Sequence, residues 1–271
     1  MKRLLAIAAV IAIIQLPYVG AQSSDTAPDI LENVGLDQKL GSQVPLDLEF
    51  LDADGRKVTL GQFFGEKPVV LTLVYYECPM LCTLILNGTV RALRAMDFSA
   101  GEEFNVVTVS INPEETPALA TTKKTQYLET YRRDGAENGW YFLTGTEDKI
   151  RPLADAVGFR YAYDPESGEY VHASGIMVLT PEGKVARYFY GVEYSPRDIR
   201  LGLVEASSNQ IGSPVDQVLL FCYHYNPLTG KYTIAILSIL RVAGVLTILG
   251  LGLLLLVLLK KDRGREAQAS A

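Results

Sequence analysis

The chain has 271 residues, which is enough for one globular domain of ordinary size together with extra segments. Its formal net charge is −6 and no basic stripe runs along it, so the composition argues against a nucleic-acid-binding protein. Hydrophobic residues make up 48% of the chain, a high fraction for a soluble domain, and the excess lies at the two ends.

The first segment, residues 1–22, has the three parts of an export signal. Lys2 and Arg3 form a positive start, residues 4–16 an apolar stretch, and residues 19–21 a cleavage site of small residues. The apolar stretch is short for a helix that spans a bilayer. We therefore predict a signal peptide, with an uncleaved anchor as the alternative. In both cases the domain that follows is exported.

A regular pattern begins after a polar lead-in, residues 23–44, for which we expect poor packing. The domain is predicted over residues 45–206. Its first element is a hairpin, because alternating apolar residues precede the turn at residues 52–55 and residues 57–60 return from it. The near-continuous apolar and β-branched run at residues 68–76 is typical of a central strand that is covered on both faces.

Helices and strands then alternate to the end of the domain. The pattern predicts helices over residues 83–94, 116–133, 147–157 and 196–206, and strands over residues 104–111, 141–143, 175–180 and 184–190. Strands that alternate with helices indicate an α/β domain whose sheet is covered by helices. A β-hairpin that follows a βαβ half is the thioredoxin-like arrangement, a central mixed sheet flanked by helices, and we predict this fold.

The C-terminal part predicts a membrane anchor. A linker over residues 207–233 leads to a helix over residues 234–259. Its uncharged part, residues 242–259, spans about 27 Å at ~1.5 Å per residue, close to the thickness of a bilayer. The basic tail, residues 260–271, is expected in the cytoplasm by the positive-inside rule. The sequence thus predicts a single-pass protein of the inner membrane with its domain on the periplasmic side. A buried helix of a soluble protein is the alternative.

Two of the three cysteines, Cys78 and Cys82, stand four residues apart where the central strand meets the next helix. If Cys82 lies in the first helical turn, both sulfur atoms converge on one small volume, and the helix N-terminus favours the thiolate. Two such thiolates suit reversible disulfide chemistry or a soft metal such as Cu(I). A structural disulfide is the remaining interpretation, although a staple across so few residues would constrain little of the unfolded chain.

Histidine is scarcer still, and His172 is the candidate third ligand. It lies in the predicted loop at residues 170–174, just before the strand at residues 175–180. In a thioredoxin-like fold this loop faces the turn that carries the cysteines, and two thiolates with one imidazole suit copper. Taken alone, a histidine in a loop is more often a solvated residue.

The third cysteine and the second histidine occur together in the linker, as Cys222 and His224. In an extended chain, residues two apart point to the same side, so this pair can share a metal or supply a resolving thiol. Chance proximity in an aromatic, membrane-proximal linker is the other interpretation, because two residues supply few ligands. Both interpretations stay open.

Three motifs occur in a fixed order along the domain. They are Cys78-Pro79-x-x-Cys82 directly after a strand, Ser110-Ile111-Asn112-Pro113-Glu114 after the second core strand, and His172 ten residues before Glu182-Gly183. Together they resemble the SCO/SenC family. The combination is far more specific than any of its parts.

The resemblance covers about residues 40–206 and implies a thioredoxin-like, copper-binding protein that serves the assembly of cytochrome c oxidase. It implies that Cys78, Cys82 and His172 hold the copper. It also implies that the partner is oxidase subunit II, whose binuclear copper site needs copper and reduced cysteines.

The chain departs from the family pattern at three positions. Thr83 stands where the family often has a second proline, Val171 replaces a loop acid, and Asn112 replaces an aspartate. The last two departures remove negative charge and are expected to weaken the contacts that orient the imidazole. The predicted anchor is C-terminal, whereas the best-known members of the family are anchored at the N-terminus.

Two functions from different classes remain. The first is a copper metallochaperone for the oxidase. The second is an enzyme, a thiol–disulfide oxidoreductase that reduces the client's copper-binding cysteines, in which Cys78 attacks and Cys82 resolves. Residues 166–180 contain no proline where thioredoxin-type reductases carry one opposite their cysteines, which favours metal handling. His172→Ala is expected to cripple copper retention and leave disulfide exchange largely intact. A redox or copper sensor is a third interpretation, but the short tail offers little to relay a signal.

Overall fold

The computed structural model describes residues 33–78, 81–212, 225–226, 231–232, 244–248 and 250–252. The predicted signal segment, Cys222, His224 and the predicted cytoplasmic tail lie outside the described residues. Residues 244–248 and 250–252, inside the predicted anchor, are helical. Within the part of the chain that the structure describes, no helix is both long and apolar enough to cross a membrane.

A mixed sheet with a fully buried central strand organises the domain. The strands are β1 (Gly35–Leu36), β2 (Glu49–Leu51), β3 (Lys57–Thr59), β4 (Val69–Val74), β5 (Asn105–Ser110), β6 (Trp140–Leu143), β7 (Phe159–Asp164), β8 (Glu169–His172), β9 (Gly175–Leu179), β10 (Val185–Tyr190), β11 (Tyr225–Asn226) and β12 (Lys231–Tyr232). The central sheet has the order β10-β9-β4-β5-β6, in which β4 runs parallel to β5 and antiparallel to β9. Every residue of β4 is buried, which confirms the predicted central strand covered on both faces.

The helices of the domain are α1 (Leu81–Arg94), α2 (Pro117–Tyr131), α3 (Glu147–Ala156) and α4 (Pro196–Ser207). Helix α1 buries residues at three- and four-residue spacing, as an amphipathic helix does, and packs against α2, α4 and β9. Helix α2 packs on β6, and α4 packs on β9 and β10. The predicted hairpin forms as the pair β2–β3. These elements confirm the predicted thioredoxin-like, α/β arrangement.

A second, smaller sheet with the order β1-β7-β8 differs from the sequence prediction. Strands β7 and β8 form an antiparallel hairpin in which Tyr161 lies opposite His172. His172 is therefore the last residue of a strand, and the prediction of a loop there is wrong. Only Phe159, Tyr161 and His172 of these two strands are buried, and polar residues interrupt both, so the pairing between them stabilises the strands beyond what their own pattern predicts.

The residues ahead of the predicted domain start also pack on the domain. Val34 and Val44 are buried, and strand β1 pairs with the start of β7. At the junction with β7, Gly158 has a φ of +68°, and a Cβ atom there would lie 2.0 Å from the carbonyl oxygen of Asp37. Only glycine allows this close approach. From residue 34 onward, the segment expected to be a poorly packed lead-in is thus part of the folded unit.

Candidate metal centre

The cysteines flank the step from the central strand to the first helix. Strand β4 ends at Val74, and α1 begins at Leu81, two residues before the predicted start, so Cys82 lies in the first helical turn and meets the condition for the two sulfurs to converge. Pro79 and Met80, between the cysteines, lie outside the described residues. No disulfide joins Cys78 and Cys82.

Each sulfur accepts a backbone hydrogen bond from the other side of the turn. The amide of Cys82 donates to Cys78 Sγ at 3.3 Å, and the amide of Tyr75 donates to Cys82 Sγ at 3.3 Å. These reciprocal contacts hold the two sulfur atoms on the same side of the turn. Amide donors also stabilise negative charge on sulfur when a thiol loses its proton.

His172 reaches the cysteines from the end of β8. Its Nε2 atom lies 2.9 Å from Cys82 Sγ, and its Nδ1 atom lies 2.8 Å from the carbonyl oxygen of Ala173. A carbonyl oxygen only accepts, so Nδ1 carries the proton and donates to Ala173. Nε2 then presents its lone pair to Cys82, which is the orientation that a metal ligand needs.

The structure therefore brings together all three residues that the sequence singled out in the domain. Cys78 Sγ, Cys82 Sγ and a ring nitrogen of His172 lie within 4.8 Å of one another. The side chains are all buried, with 8% of Cys78, 2% of Cys82 and 6% of His172 exposed. Cys78 is thus the most accessible of the three. Two sulfurs and one nitrogen at this separation form a group able to hold a metal ion.

Burial governs the protonation of Cys82. Removal from water raises the pKa of its thiol far above the usual range, and the nearby Cys78 and Glu115 raise it further, against the amide hydrogen bond from Tyr75. Burial therefore opposes the thiolate that the helix N-terminus is expected to favour at Cys82 in the metal-free protein. When Cys82 carries its proton, its thiol donates to His172 Nε2.

Aromatic side chains pack around the imidazole of His172. The ring of Tyr75 meets the His172 ring edge-on at 6.0 Å between centroids, and the ring of Phe159 lies 5.8 Å away on the strand that pairs with β8. Tyr170 contacts Tyr75 in turn, with centroids 6.0 Å apart. These rings fix the imidazole and keep water from its flanks. The Tyr75 hydroxyl also hydrogen-bonds to Cys78, and its pKa is raised by burial first and by that contact second.

The positions that depart from the family pattern do not orient the imidazole. Val171 is half-buried in β8, and the orienting contact comes from the backbone of Ala173. Asn112 caps the turn before α2, where its Oδ1 accepts from the amide of Glu114 at 3.0 Å. The weaker orientation expected from these two substitutions stays a prediction, and in this chain the backbone of Ala173 supplies the orienting contact.

Sequence reasoning missed Glu115, a buried acid behind the cysteine turn. Its carboxylate accepts hydrogen bonds from the amides of Tyr76 and Glu77, both at 2.8 Å, and from the hydroxyl of Ser110. Burial raises the pKa of Glu115, although these three hydrogen bonds act in the opposite direction. The available signal was an acid one residue before the helix cap at Thr116, but its contact with residues 76 and 77 is not visible in the sequence.

Comparisons with known proteins agree on the family. A family model described as SCO1/SenC matches residues 37–205. A Bacillus subtilis (strain 168) relative, described as SCO1 protein homolog, is 25% identical over 182 residues, which cover 62% of this chain and 88% of its own.

Solved structures show the same fold. A protein from Aquifex aeolicus VF5 is 25% identical with a TM-score of 0.56, and the match covers 64% of this chain and 96% of the other. A SCO1/SenC family lipoprotein from Bacillus anthracis str. Ames is 17% identical with a TM-score of 0.50, covering 62% of this chain and 98% of its own.

Proposed function

This chain belongs to the SCO1/SenC family, and from this premise we propose that it is an exported copper metallochaperone that serves the assembly of cytochrome c oxidase. The observation that carries the proposal is the convergence of two cysteine sulfurs and one histidine nitrogen within 4.8 Å at the end of the central strand. We assign Cys78 and Cys82 as thiolate ligands and His172 as the imidazole ligand.

The chemistry of the donor set favours copper. Thiolates are soft ligands that suit Cu(I), whereas Mg²⁺ and Ca²⁺ prefer oxygen ligands. Structural zinc takes four protein ligands, and the described residues bring three together at this place. The imidazole allows the same group to hold Cu(II) as well.

Unequal exposure of the ligands suggests how copper leaves. Cys78 is 8% exposed and Cys82 only 2%, so a client thiol reaches the Cys78 side first. Copper is then passed by stepwise ligand exchange, in which the client's sulfur replaces Cys78 before Cys82 and His172 are released. We assign the client as oxidase subunit II, following the family resemblance.

A thiol–disulfide oxidoreductase is the second candidate function, because the sulfurs of Cys78 and Cys82 also lie close enough to act as a redox pair. A Cys78 thiolate attacks a client disulfide and forms a mixed disulfide, releasing one client thiolate. Cys82 then loses its proton, attacks Cys78 Sγ and releases the second client thiolate, so that the pair supplies two electrons. His172 Nε2, 2.9 Å from Cys82 Sγ, is placed to take that proton. Under this mechanism His172→Ala slows exchange too, so that variant alone does not separate the two functions.

Copper retention by the full chain in detergent tests the proposal. The protein is reduced, loaded with Cu(I), dialysed against a competing chelator and assayed for bound copper beside Cys78→Ser, Cys82→Ser and His172→Ala. We expect one tightly held copper that each substitution removes or sharply weakens.

The chain supplies its own matched controls, Cys222→Ser and His224→Ala, which remove the same residue types from the linker. They are expected to keep the first copper, and loss of a second copper in Cys222→Ser would instead assign a linker site. A wild-type protein that keeps no copper but reduces a client disulfide would overturn the chaperone proposal in favour of the reductase.

The proposal includes the anchor over residues 234–259 and a periplasmic domain, supported by the charge and hydropathy pattern of the sequence. Fractionation of cells that express the chain with and without residues 234–271 tests this part. We expect the full chain in the inner membrane and the shortened chain in the periplasm. A shortened chain that stays in the membrane would point to an uncleaved N-terminal anchor.

A further inference from the structure

We propose that Glu115 is the positioning residue of the copper centre: its buried carboxylate holds the turn at residues 75–78 so that both sulfurs face His172. The inference rests on the proposed function for the identity of the metal. The role itself is a property of the metal-free fold.

The sheet stops providing hydrogen-bond partners where the cysteine turn begins. Strand β4 pairs with β5 up to Val74 and Ser110, and the last bond of this ladder runs from the amide of Ile111 to the carbonyl of Val74. The next amides that need a partner, those of Tyr76 and Glu77, donate to Glu115 Oε2 and Oε1, both at 2.8 Å. The Glu115 carboxylate therefore replaces the neighbouring strand as hydrogen-bond partner for two consecutive amides, the second of which lies one residue before Cys78.

Three elements meet at this carboxylate. Ser110, at the end of β5, donates its hydroxyl to Glu115, because a carboxylate only accepts, and the same hydroxyl oxygen accepts from the amide of Asn112 at 3.1 Å. Glu115 itself lies just before the N-cap of α2. The turn that carries Cys78 is thus tied to the second core strand and to the start of a helix.

The cost of burying this acid argues for a specific role. Glu115 is only 7% exposed, and a carboxylate withdrawn from water is unfavourable unless its oxygens are fully hydrogen-bonded. Three donors meet that need. A neutral amide in the same place has only one acceptor oxygen for the two backbone N–H groups, and its own NH₂ group would face the second of them. The substitution Glu115→Gln thus keeps the size of the side chain and loses one of the two bonds to the turn.

The test compares Glu115→Gln with Glu114→Gln in the full-length protein loaded with copper. Both substitutions remove one acid, but Glu114 is exposed, and within the described part of the chain its carboxylate makes no hydrogen bond to the turn. We expect Glu115→Gln to weaken copper retention by about 10- to 100-fold, the range typical when a residue that orients metal ligands is changed. Its thiolate-to-Cu(II) absorption bands should also shift, while Glu114→Gln keeps both properties.

A role limited to stability predicts a lower melting temperature with unchanged bands and unchanged affinity at low temperature, and that result would overturn the proposal. If Glu115→Gln does not fold, Ser110→Ala is tested in its place. This substitution removes one donor to the Glu115 carboxylate and leaves the bonds to the amides of Tyr76 and Glu77. A smaller shift of the absorption bands and a smaller loss of copper retention are then expected. Amide hydrogen exchange at residues 76 and 77 in the metal-free protein gives a copper-independent readout. Faster exchange in Glu115→Gln is expected because the turn loses one of its two bonds to the carboxylate, and unchanged exchange refutes the proposal even if the wild type binds no copper.

Discussion

Gly88→Ala separates helix propensity from packing in the helix that presents Cys82. Gly88 is buried within α1, and alanine is intrinsically better than glycine in a helix by about 1 kcal/mol. A Cβ atom at this position, however, would lie 1.8 Å from the carbonyl oxygen of Val192, in the loop between β10 and α4. Restoring van der Waals contact requires the helix and that loop to move apart by about 1.5 Å.

The steric cost outweighs the gain in propensity. Overpacking of this kind costs about 1–3 kcal/mol or more, so the free energy of unfolding should fall by about 1–2 kcal/mol. For a domain of this size that lowers the melting temperature by about 2–8 °C, and displacement of α1 should also speed copper release.

Gly202→Ala in α4 is the matched control for Gly88→Ala. The nearest atoms to its Cβ would be Cδ of Arg187 and Cζ of Phe189, both at 3.2 Å, so side chains rather than backbone would have to shift, and by only a few tenths of an ångström. We expect the stability of this control to be unchanged or slightly increased. Thermal and urea denaturation measure both variants, and a Gly88→Ala protein as stable as the wild type would refute the reasoning.

Three further outcomes are expected. In the reduced, metal-free protein at neutral pH, Cys82 should react with an alkylating reagent more slowly than Cys78, because burial raises the pKa of the Cys82 thiol. The rate at Cys82 should increase as the pH rises. Mass spectrometry follows each site, and faster alkylation of Cys82 than of Cys78 would contradict the assignment. Tyr76→Phe removes a buried hydroxyl that lies 2.8 Å from the carbonyl oxygen of Leu143 and should lower the free energy of unfolding by about 1 kcal/mol in urea titrations. Gly158→Ala should destabilise the protein by more than about 2 kcal/mol, because alanine is strained at this positive φ and its Cβ would lie 2.0 Å from the carbonyl oxygen of Asp37. The substitution should also weaken copper retention, because it disturbs β7, the strand that pairs with β8. An unchanged unfolding midpoint in either of the last two variants would argue against the packing described.

The local parts of the copper centre were open to prediction from sequence. The run from Val69 to Val74 is apolar and β-branched enough to define a buried strand without knowledge of its neighbours. Cys78 and Cys82 are close in sequence, so a strand that leads directly into a helix brings their sulfurs together. Both inferences depend on contacts between near neighbours in the chain.

The distant parts were less accessible. That His172 would meet the cysteines followed only from the expected fold. Its place in a strand was missed because β8 has only four residues, two of them polar, and pairs with β7 rather than with the central sheet. Glu115 looks like an ordinary acid ahead of a helix. Its role depends on two amides that lie 38 and 39 residues earlier in the chain.

The amino-acid sequence by itself determined the class of the fold, the central strand and the pair of sulfurs, because hydrophobic periodicity and helix starts act over a few residues. Tertiary structure alone decided which nitrogen of His172 faces Cys82, how Glu115 holds the cysteine turn, and that burial raises the pKa of the Cys82 thiol. These properties arise from desolvation and from hydrogen bonds between distant segments, and such terms exist only after the chain has packed.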